Sequence, residues 1–382
     1  MSHASTPITA IQALGQSAWI DFISREFLES GELRRMIETD DLRGVTSNPT
    51  IFEKAIGHGS QYDEQFKALV KQGADAQAVY DALTTTDIRN ALDLFKATYD
   101  RTHGLDGYVS LEVSPILAND TEKTISEAVR LWKILDRPNA MIKIPGTPAG
   151  LPAIEESLFH GINVNVTLLF SVEAYEAVAH AYVRALQRRA KAGLPVSGIA
   201  SVASFFVSRI DAEVDKLIDV AAPTVTDPAE RKALEHAKGK VAIANAKEAY
   251  AVYERIFGSP EFATLKQHGA QVQRLLWASV GTKNPNYPDT IYVDELIGPD
   301  TVSTMPPDTY NAVRDHGNAA TTLTHGLADA RHTLSLLGKH AINFKEVTDK
   351  LLHVGVERFS ADFETLMKSI REKHAKLTAE LS

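Results

Sequence analysis

Short apolar runs rich in β-branched residues alternate along this chain with longer stretches of helical periodicity. The runs predict strands at 17–23, 43–47, 108–113, 140–144, 163–168, 199–205, 274–279 and 301–304. Gly, Pro or Asn closes several of them. Between them, Tyr175, Val178, Ala179, Tyr182, Val183 and Leu186 form a helical stripe, and Gly193 follows as a stop signal. Val356, Phe359, Phe363, Leu366 and Ile370 form another stripe on a long helix, with Asn343 and Glu346 just upstream at capping-box spacing. Strands separated by helices predict an α/β protein with a parallel sheet, most economically closed as a (β/α)8 TIM barrel. No G-x-G-x-x-G or Walker loop follows any strand to favour an open, doubly wound sheet. A single barrel domain over 1–382 is expected, with extra helices inserted at about 52–105 and 211–269 and C-terminal helices at about 308–376. Neither insertion has the Gly/Ser/Pro composition of a linker.

Alternate strand residues share a face. Met141, Lys143 and Pro145 align, as do Asn163, Asn165 and Thr167 in the next strand. Ser110 aligns with Glu112, Ser17 with Trp19 and Asp21, Gly44 with Thr46 and Asn48, and Ser204 with Phe206. Polar groups thus gather near the C-terminal ends of the strands, where barrel active sites lie. Burying Asp, Glu and Lys together is costly unless the charges are used. Asn163 and Ser17, taken singly, fit the plainer role of hydrogen-bonded packing.

Lys143 sits in the apolar run Asn139-Ala-Met-Ile-Lys-Ile-Pro-Gly146. Burial disfavours the charged form of an amine, and a neutral amine can attack a carbonyl to form a Schiff base. The plainer reading is a strand-end lysine whose head reaches water or a carboxylate. The company of Asp21 and Glu112 favours chemistry. Glu112 and Thr167 are placed to handle a water, and Asp21 is the available base for carbon–carbon cleavage. The iminium then serves as electron sink. The stretch from Ser204 to Arg209 ends a strand and opens a helix, a ready anion site. Ser279, Gly281, Thr282 and Lys283 offer hydroxyls and a second cation after the next strand. For Arg209 the plainer alternative is a salt bridge to Asp211 or Glu213.

Composition narrows the chemistry. A net charge of -9 leaves no basic footprint for nucleic acid. With no cysteine, thiolate catalysis, disulfides and Cys-ligated zinc are excluded. The 13 histidines are scattered without ligand spacing, so no metal and no other cofactor is expected. The first ten residues lack the apolar core of a secretory signal, and no apolar stretch approaches the ~18 residues of a membrane span. A cytoplasmic protein with no membrane partner is expected, as a monomer or homodimer.

The motifs Gly44-Val-Thr-Ser-Asn-Pro-Thr-Ile-Phe52, Met141-Ile-Lys-Ile-Pro-Gly-Thr147, Gly161-Ile-Asn-Val-Asn-Val-Thr-Leu-Leu-Phe-Ser171 and Trp277-Ala-Ser-Val-Gly-Thr-Lys283 resemble transaldolase. The likeness runs in order from about Trp19 to Pro306, and the chain's length resembles the longer bacterial branch. It implies transfer of a dihydroxyacetone unit from sedoheptulose 7-phosphate to glyceraldehyde 3-phosphate, giving erythrose 4-phosphate and fructose 6-phosphate. The partners implied are therefore phosphorylated ketoses and aldoses of the non-oxidative pentose phosphate pathway. The resemblance implies that Lys143 forms the Schiff base, Asp21 is the acid/base for cleavage, and Glu112 and Thr167 handle water. Asn48, Asn165, Ser204 and Phe206 would contact the sugar, with Ser279, Arg209 and Lys283 at the phosphate. Lys283 stands where some relatives use arginine, and the surroundings of Asp21 are less polar than is usual in the family. A related, shorter branch releases free dihydroxyacetone from fructose 6-phosphate and resembles this chain except for glutamine at Glu112 and tyrosine at Phe206. A non-catalytic sugar-phosphate binding protein is the alternative from another class, and the set Asp21, Glu112 and Lys143 argues against it.

Overall fold

Eight parallel strands pair in sequence order, and the last closes on the first. They are β1 (Gln16–Ile20), β2 (Gly44–Val45), β3 (Tyr108–Glu112), β4 (Ala140–Pro145), β5 (Val164–Leu169), β6 (Ser201–Phe206), β7 (Arg274–Ala278) and β8 (Thr301–Met305). This computed structural model describes residues 6–58 and 60–381. The architecture is the expected TIM barrel with additional helices. Each strand falls within a few residues of its predicted position. β2 is the shortest, but its ladder is lengthened by Arg43 N–H to the Ala18 carbonyl and Thr46 N–H to the Ile20 carbonyl, both 2.9 Å. Asp21 lies just past β1, its N–H held by the Met305 carbonyl at 2.8 Å.

β5 departs from simple alternation. Its register with β6 shifts between Val166 and Leu169, and Leu168 adopts φ 61°. Strict alternation with Asn163, Asn165 and Thr167 on the inner face would put Leu168 on the outer face with Val164 and Val166. The bulge turns it instead toward the roof of the barrel, where its Cδ2 would lie 3.0 Å from a Cβ built on Gly355.

The N-terminal end of the barrel is plugged by a buried polar network. Arg274 donates to Asp106 Oδ1 at 2.9 Å and to Ser17 Oγ at 2.8 Å. Ser17 Oγ donates to Asp106 Oδ2 at 2.8 Å, and the Trp19 indole N–H to Asp106 Oδ1 at 3.3 Å. This ion pair survives burial because hydrogen bonds satisfy both partners. Asn163 likewise ties three strands, accepting from Ala200 N–H and donating to the Pro138 and Ala140 carbonyls. Ser17 and Asn163 are packing elements, the plainer of their two readings. Trp19 fits because its neighbour in β2 is glycine: a Cβ on Gly44 would stand 2.4 Å from the indole.

Outside the barrel, the β2–β3 connection contains the helices Pro49–His58, Asp63–Lys71 and Ala76–Arg101. The β6–β7 connection contains Ser208–Ala221, Pro228–His236, Val241–Phe257 and Pro260–Gln267. Asp211 and Asp215 cap the last turn of chain leading into Val241–Phe257, accepting from Ala242 N–H at 2.8 Å and Gly239 N–H at 3.1 Å. The helix Phe344–Leu381 has 38 residues, a length of about 57 Å at ~1.5 Å per residue. It packs along Pro49–His58 and passes over the C-terminal ends of the strands. Polar ties hold it, among them Lys350 to Glu213, Asp362 to Thr50, Lys373 to Asp63, and His374 Nε2 to the Ala74 carbonyl. At its start Glu346 N–H donates to Asn343 Oδ1 at 3.4 Å, while the Glu346 carboxylate accepts from the Asn343 side-chain amide. The cap is thus reciprocal, but through side chains rather than the backbone N–H of a capping box. Among the described residues, no helix is long and apolar enough to cross a membrane.

Two glycines should respond in opposite directions. Gly44→Ala should destabilise the protein by about 1–3 kcal/mol, because a rigid indole must move. Gly338→Ala, on an exposed helical site with nothing within 4 Å of the new Cβ, should stabilise it by about 0.5–1 kcal/mol. Urea unfolding of both variants measures the difference.

Candidate active site

At the C-terminal ends of the strands a cavity of about 130 Å³ is lined by Asp21, Thr46, Asn48, Lys143, Ser204, Phe206, Arg209, Ser279, Lys283, Thr304 and Phe359, among others. Eight residues expected from sequence converge there. Glu112, Asn165 and Thr167 do not line it; they are buried around the base of Lys143. The strand register explains why. Glu112 on β3 and Asn165 on β5 stand directly beside Lys143 on β4, and Thr167 stands beside Pro145, the next inward position of β4.

Lys143 is 4% exposed. Its Nζ donates to the Ser47 carbonyl at 3.0 Å, lies 3.4 Å from Glu112 Oε2, and stands 5.9 Å from the ring centre of Phe359. Among the described residues, neither carboxylate oxygen of Glu112 nor Thr167 Oγ1 has a hydrogen-bond partner. Burial pushes the Glu112 carboxyl up to about 7, against the pull of the neighbouring Lys143. Such unpaired buried groups cost about 1–3 kcal/mol each. They contrast with the fully bonded polar plug at the other end of the barrel.

Asp21 accepts from Thr46 Oγ1 at 2.6 Å, and Thr46 Oγ1 is 2.7 Å from Thr304 Oγ1. Removal from water raises the Asp21 pKa; Lys143, the Thr46 hydroxyl and Arg209 oppose the rise. Asn165 is fixed on both sides, donating to Ser110 Oγ at 3.0 Å and accepting from Ser204 Oγ at 2.7 Å. Asn48 uses its Oδ1 to accept from Ile51 N–H at 3.0 Å, starting the helix Pro49–His58. That bond orients its amide group at the cavity wall.

The anion end is equally specific. The Arg209 guanidinium lies over the Phe206 ring, 5.1 Å from its centre, and Phe206 packs on Phe170. Asp211 accepts from Ala242 N–H and the Tyr292 hydroxyl, while Glu213 pairs with Lys350 and Lys216. The surface salt bridge considered for Arg209 is therefore absent among the described residues. Burial lowers the Lys283 pKa, and the charges of Arg209, Arg358 and Lys54 lower it further. Ser279 adopts φ 54°, and its Oγ is 3.0 Å from Ser208 Oγ at the start of Ser208–Ala221. No side chain caps that helix N-terminus, and Arg209 is the second residue of the helix.

Sequence reasoning placed Thr46 and Ser110 on the inner face without giving them a task, and it missed Thr304 and Phe359. Thr304 pairs in register with Trp19 and so faces inward; the alternation of β8 carries that signal. Phe359 lay within an amphipathic stripe, which cannot distinguish a core residue from one roofing a cavity.

Over residues 18–370 the chain matches the family model described as transaldolase/fructose-6-phosphate aldolase. The chain belongs to this family. It is 49% identical to a protein named transaldolase from Trichodesmium erythraeum, over 96% of this chain and 97% of that one. It is 48% identical to transaldolase 2 of a Nostoc species (95% and 96% covered) and 47% identical to a transaldolase of Mycolicibacterium smegmatis (94% and 95%). The transaldolase/fructose-6-phosphate aldolase match spans all eight strands, from within β1 to the roofing helix.

The raised Glu112 pKa has a consequence for stability in this family member. The folded state holds the Glu112 proton more tightly than the unfolded chain does. Its contribution is fully present below the ordinary carboxyl value of 4.5 and is lost as pH rises toward about 7. Glu112→Gln should remove that loss. The stability of the variant relative to the parent should therefore grow between pH 4.5 and 7.5, by a few kcal/mol at most. Chemical denaturation across this range tests it; a constant difference would mean that Glu112 titrates near its ordinary value.

Proposed function

We propose that this protein is a transaldolase that works through a Schiff base on Lys143. The observation that carries the proposal is the position of the Lys143 amine. It stands between a buried Glu112 and Thr167, neither of which has a hydrogen-bond partner among the described residues, and a cavity holding Asp21 and the cations Arg209 and Lys283. The relatives named transaldolase point the same way.

The donor is a phosphorylated ketose, sedoheptulose 7-phosphate, with its phosphate at Arg209 and Lys283. The Lys143 nitrogen adds to the C2 carbonyl to form a carbinolamine. Glu112, protonated near neutral pH, gives its proton to the departing hydroxyl, and water leaves to yield the iminium. Thr167 and the Glu112 carboxylate hold that water for later return. Asp21 takes the proton from the C4 hydroxyl as the C3–C4 bond breaks. The bonding electrons pass into the iminium, which becomes an enamine, and erythrose 4-phosphate departs. Glyceraldehyde 3-phosphate then accepts the enamine carbon, and Asp21 returns its proton to the new hydroxyl. Water adds to the iminium, and fructose 6-phosphate is released with the free amine. Asn48 and Ser204 bond the sugar hydroxyls, Asn165 acts on the sugar through the Ser204 hydroxyl it holds, and Phe206 forms a wall under Arg209. The setting is the cytoplasm and the non-oxidative pentose phosphate pathway. Release of free dihydroxyacetone is disfavoured by the presence of Glu112 and Phe206 where the aldolase branch has glutamine and tyrosine.

Lys143→Met should leave the fold intact and abolish covalent capture. Mass spectrometry after borohydride reduction with donor ketose should find the adduct on Lys143 in the parent and nowhere in the variant; an adduct on another lysine sinks the assignment. Arg209→Ala should lower kcat/KM about ten- to a hundredfold for a phosphorylated donor, the loss of one charge-assisted contact. A non-phosphorylated ketose should be affected little. Equal losses on both substrates would remove Arg209 from the phosphate site.

A further inference from the structure

The roofing helix Phe344–Leu381 presents one face to the mouth of the cavity. A Cβ built on Gly355 would lie 3.8 Å from Arg209 Nη1. Phe359 lines the cavity, and Asp362 is bonded to Thr50 at the start of Pro49–His58. Residues spaced by three and four positions share a helical face, and Arg358 is the remaining member of this set, between Gly355 and Asp362. Its side chain is exposed and forms no ion pair among the described residues. Its charge is nevertheless felt at both Arg209 and Lys283, opposing protonation of each.

We propose that Arg358, delivered by the roofing helix, is a third phosphate-binding residue that determines specificity for phosphorylated sugars. Arg209, at the start of the helix after β6, and Lys283, in the loop after β7, grip the phosphate from the barrel side. Arg358 meets it from above. Three cations facing one space repel one another, and an anion between them reverses that repulsion into attraction. Gly355 permits the arrangement: any side chain there would crowd the Leu168 methyl groups at 3.0 Å and hold the helix away. Lys54, on the neighbouring helix and also sensed at Lys283, adds long-range attraction at the rim.

The inference rests on the assignment of Arg209 and Lys283 to the substrate phosphate, so its test separates the two. Binding of inorganic phosphate is measured by calorimetry on the parent, Arg358→Ala, Arg358→Lys and Arg371→Ala, the last an exposed arginine elsewhere on the same helix. Steady-state kinetics are run on a phosphorylated and a non-phosphorylated ketose. Arg358→Ala should weaken phosphate binding and raise KM for the phosphorylated donor about three- to tenfold, with kcat nearly unchanged. The effect should shrink at high ionic strength. Arg358→Lys should retain most of the affinity, and Arg371→Ala all of it. Equal phosphate affinity in the parent and Arg358→Ala would overturn the role of Arg358 alone. Failure of the parent itself to bind phosphate would overturn the phosphate site as a whole.

Discussion

The Lys143–Glu112 pair, 3.4 Å apart and almost wholly withdrawn from water, constrains the upper half of the barrel. Two opposite charges in such a place attract strongly, yet each carries a desolvation penalty of similar size. At Glu112 burial outweighs that attraction, and its carboxyl is pushed up to about 7. The surroundings keep that balance. The Ser47 carbonyl anchors the amine without quenching it, and the carboxylate receives no hydrogen bond from the described residues that would lock it in its ionised form. A fully bonded Glu112 would be a structural residue, held as Asp106 is held by Arg274, Ser17 and Trp19.

The two ends of the barrel thus use buried charge in opposite ways. At the N-terminal end the Arg274–Asp106 ion pair is satisfied by hydrogen bonds, and its network closes the barrel around the indole of Trp19. At the C-terminal end, groups are left partly unpaired and are shielded by a helix rather than by their own bonds. Gly44 serves one end by making room for Trp19, and Gly355 serves the other by letting the roof approach. Both work through the absence of a side chain.

Much of the barrel was legible in the sequence because each strand buries one continuous apolar face and ends in turn residues. The polar inner face was legible too, since strict alternation placed Lys143, Glu112, Asn165 and Asp21 on it before any contact was known. Alternation failed at Leu168, where a bulge inserts a left-handed residue that no local pattern announces. Pair identities were also hidden. Nothing near Arg209 in sequence reveals that Asp211 is committed to a distant helix start and Glu213 to Lys350. Nor does the stripe containing Phe359 show which barrel end it will cover. Such facts depend on contacts between segments from about thirty to more than a hundred residues apart, and periodicity carries only local information.

The roofing helix follows all eight strands in the chain. During synthesis the barrel strands emerge before Phe359 does, and a barrel that closes at that stage leaves Lys143 open to solvent. Docking of the helix withdraws it from water.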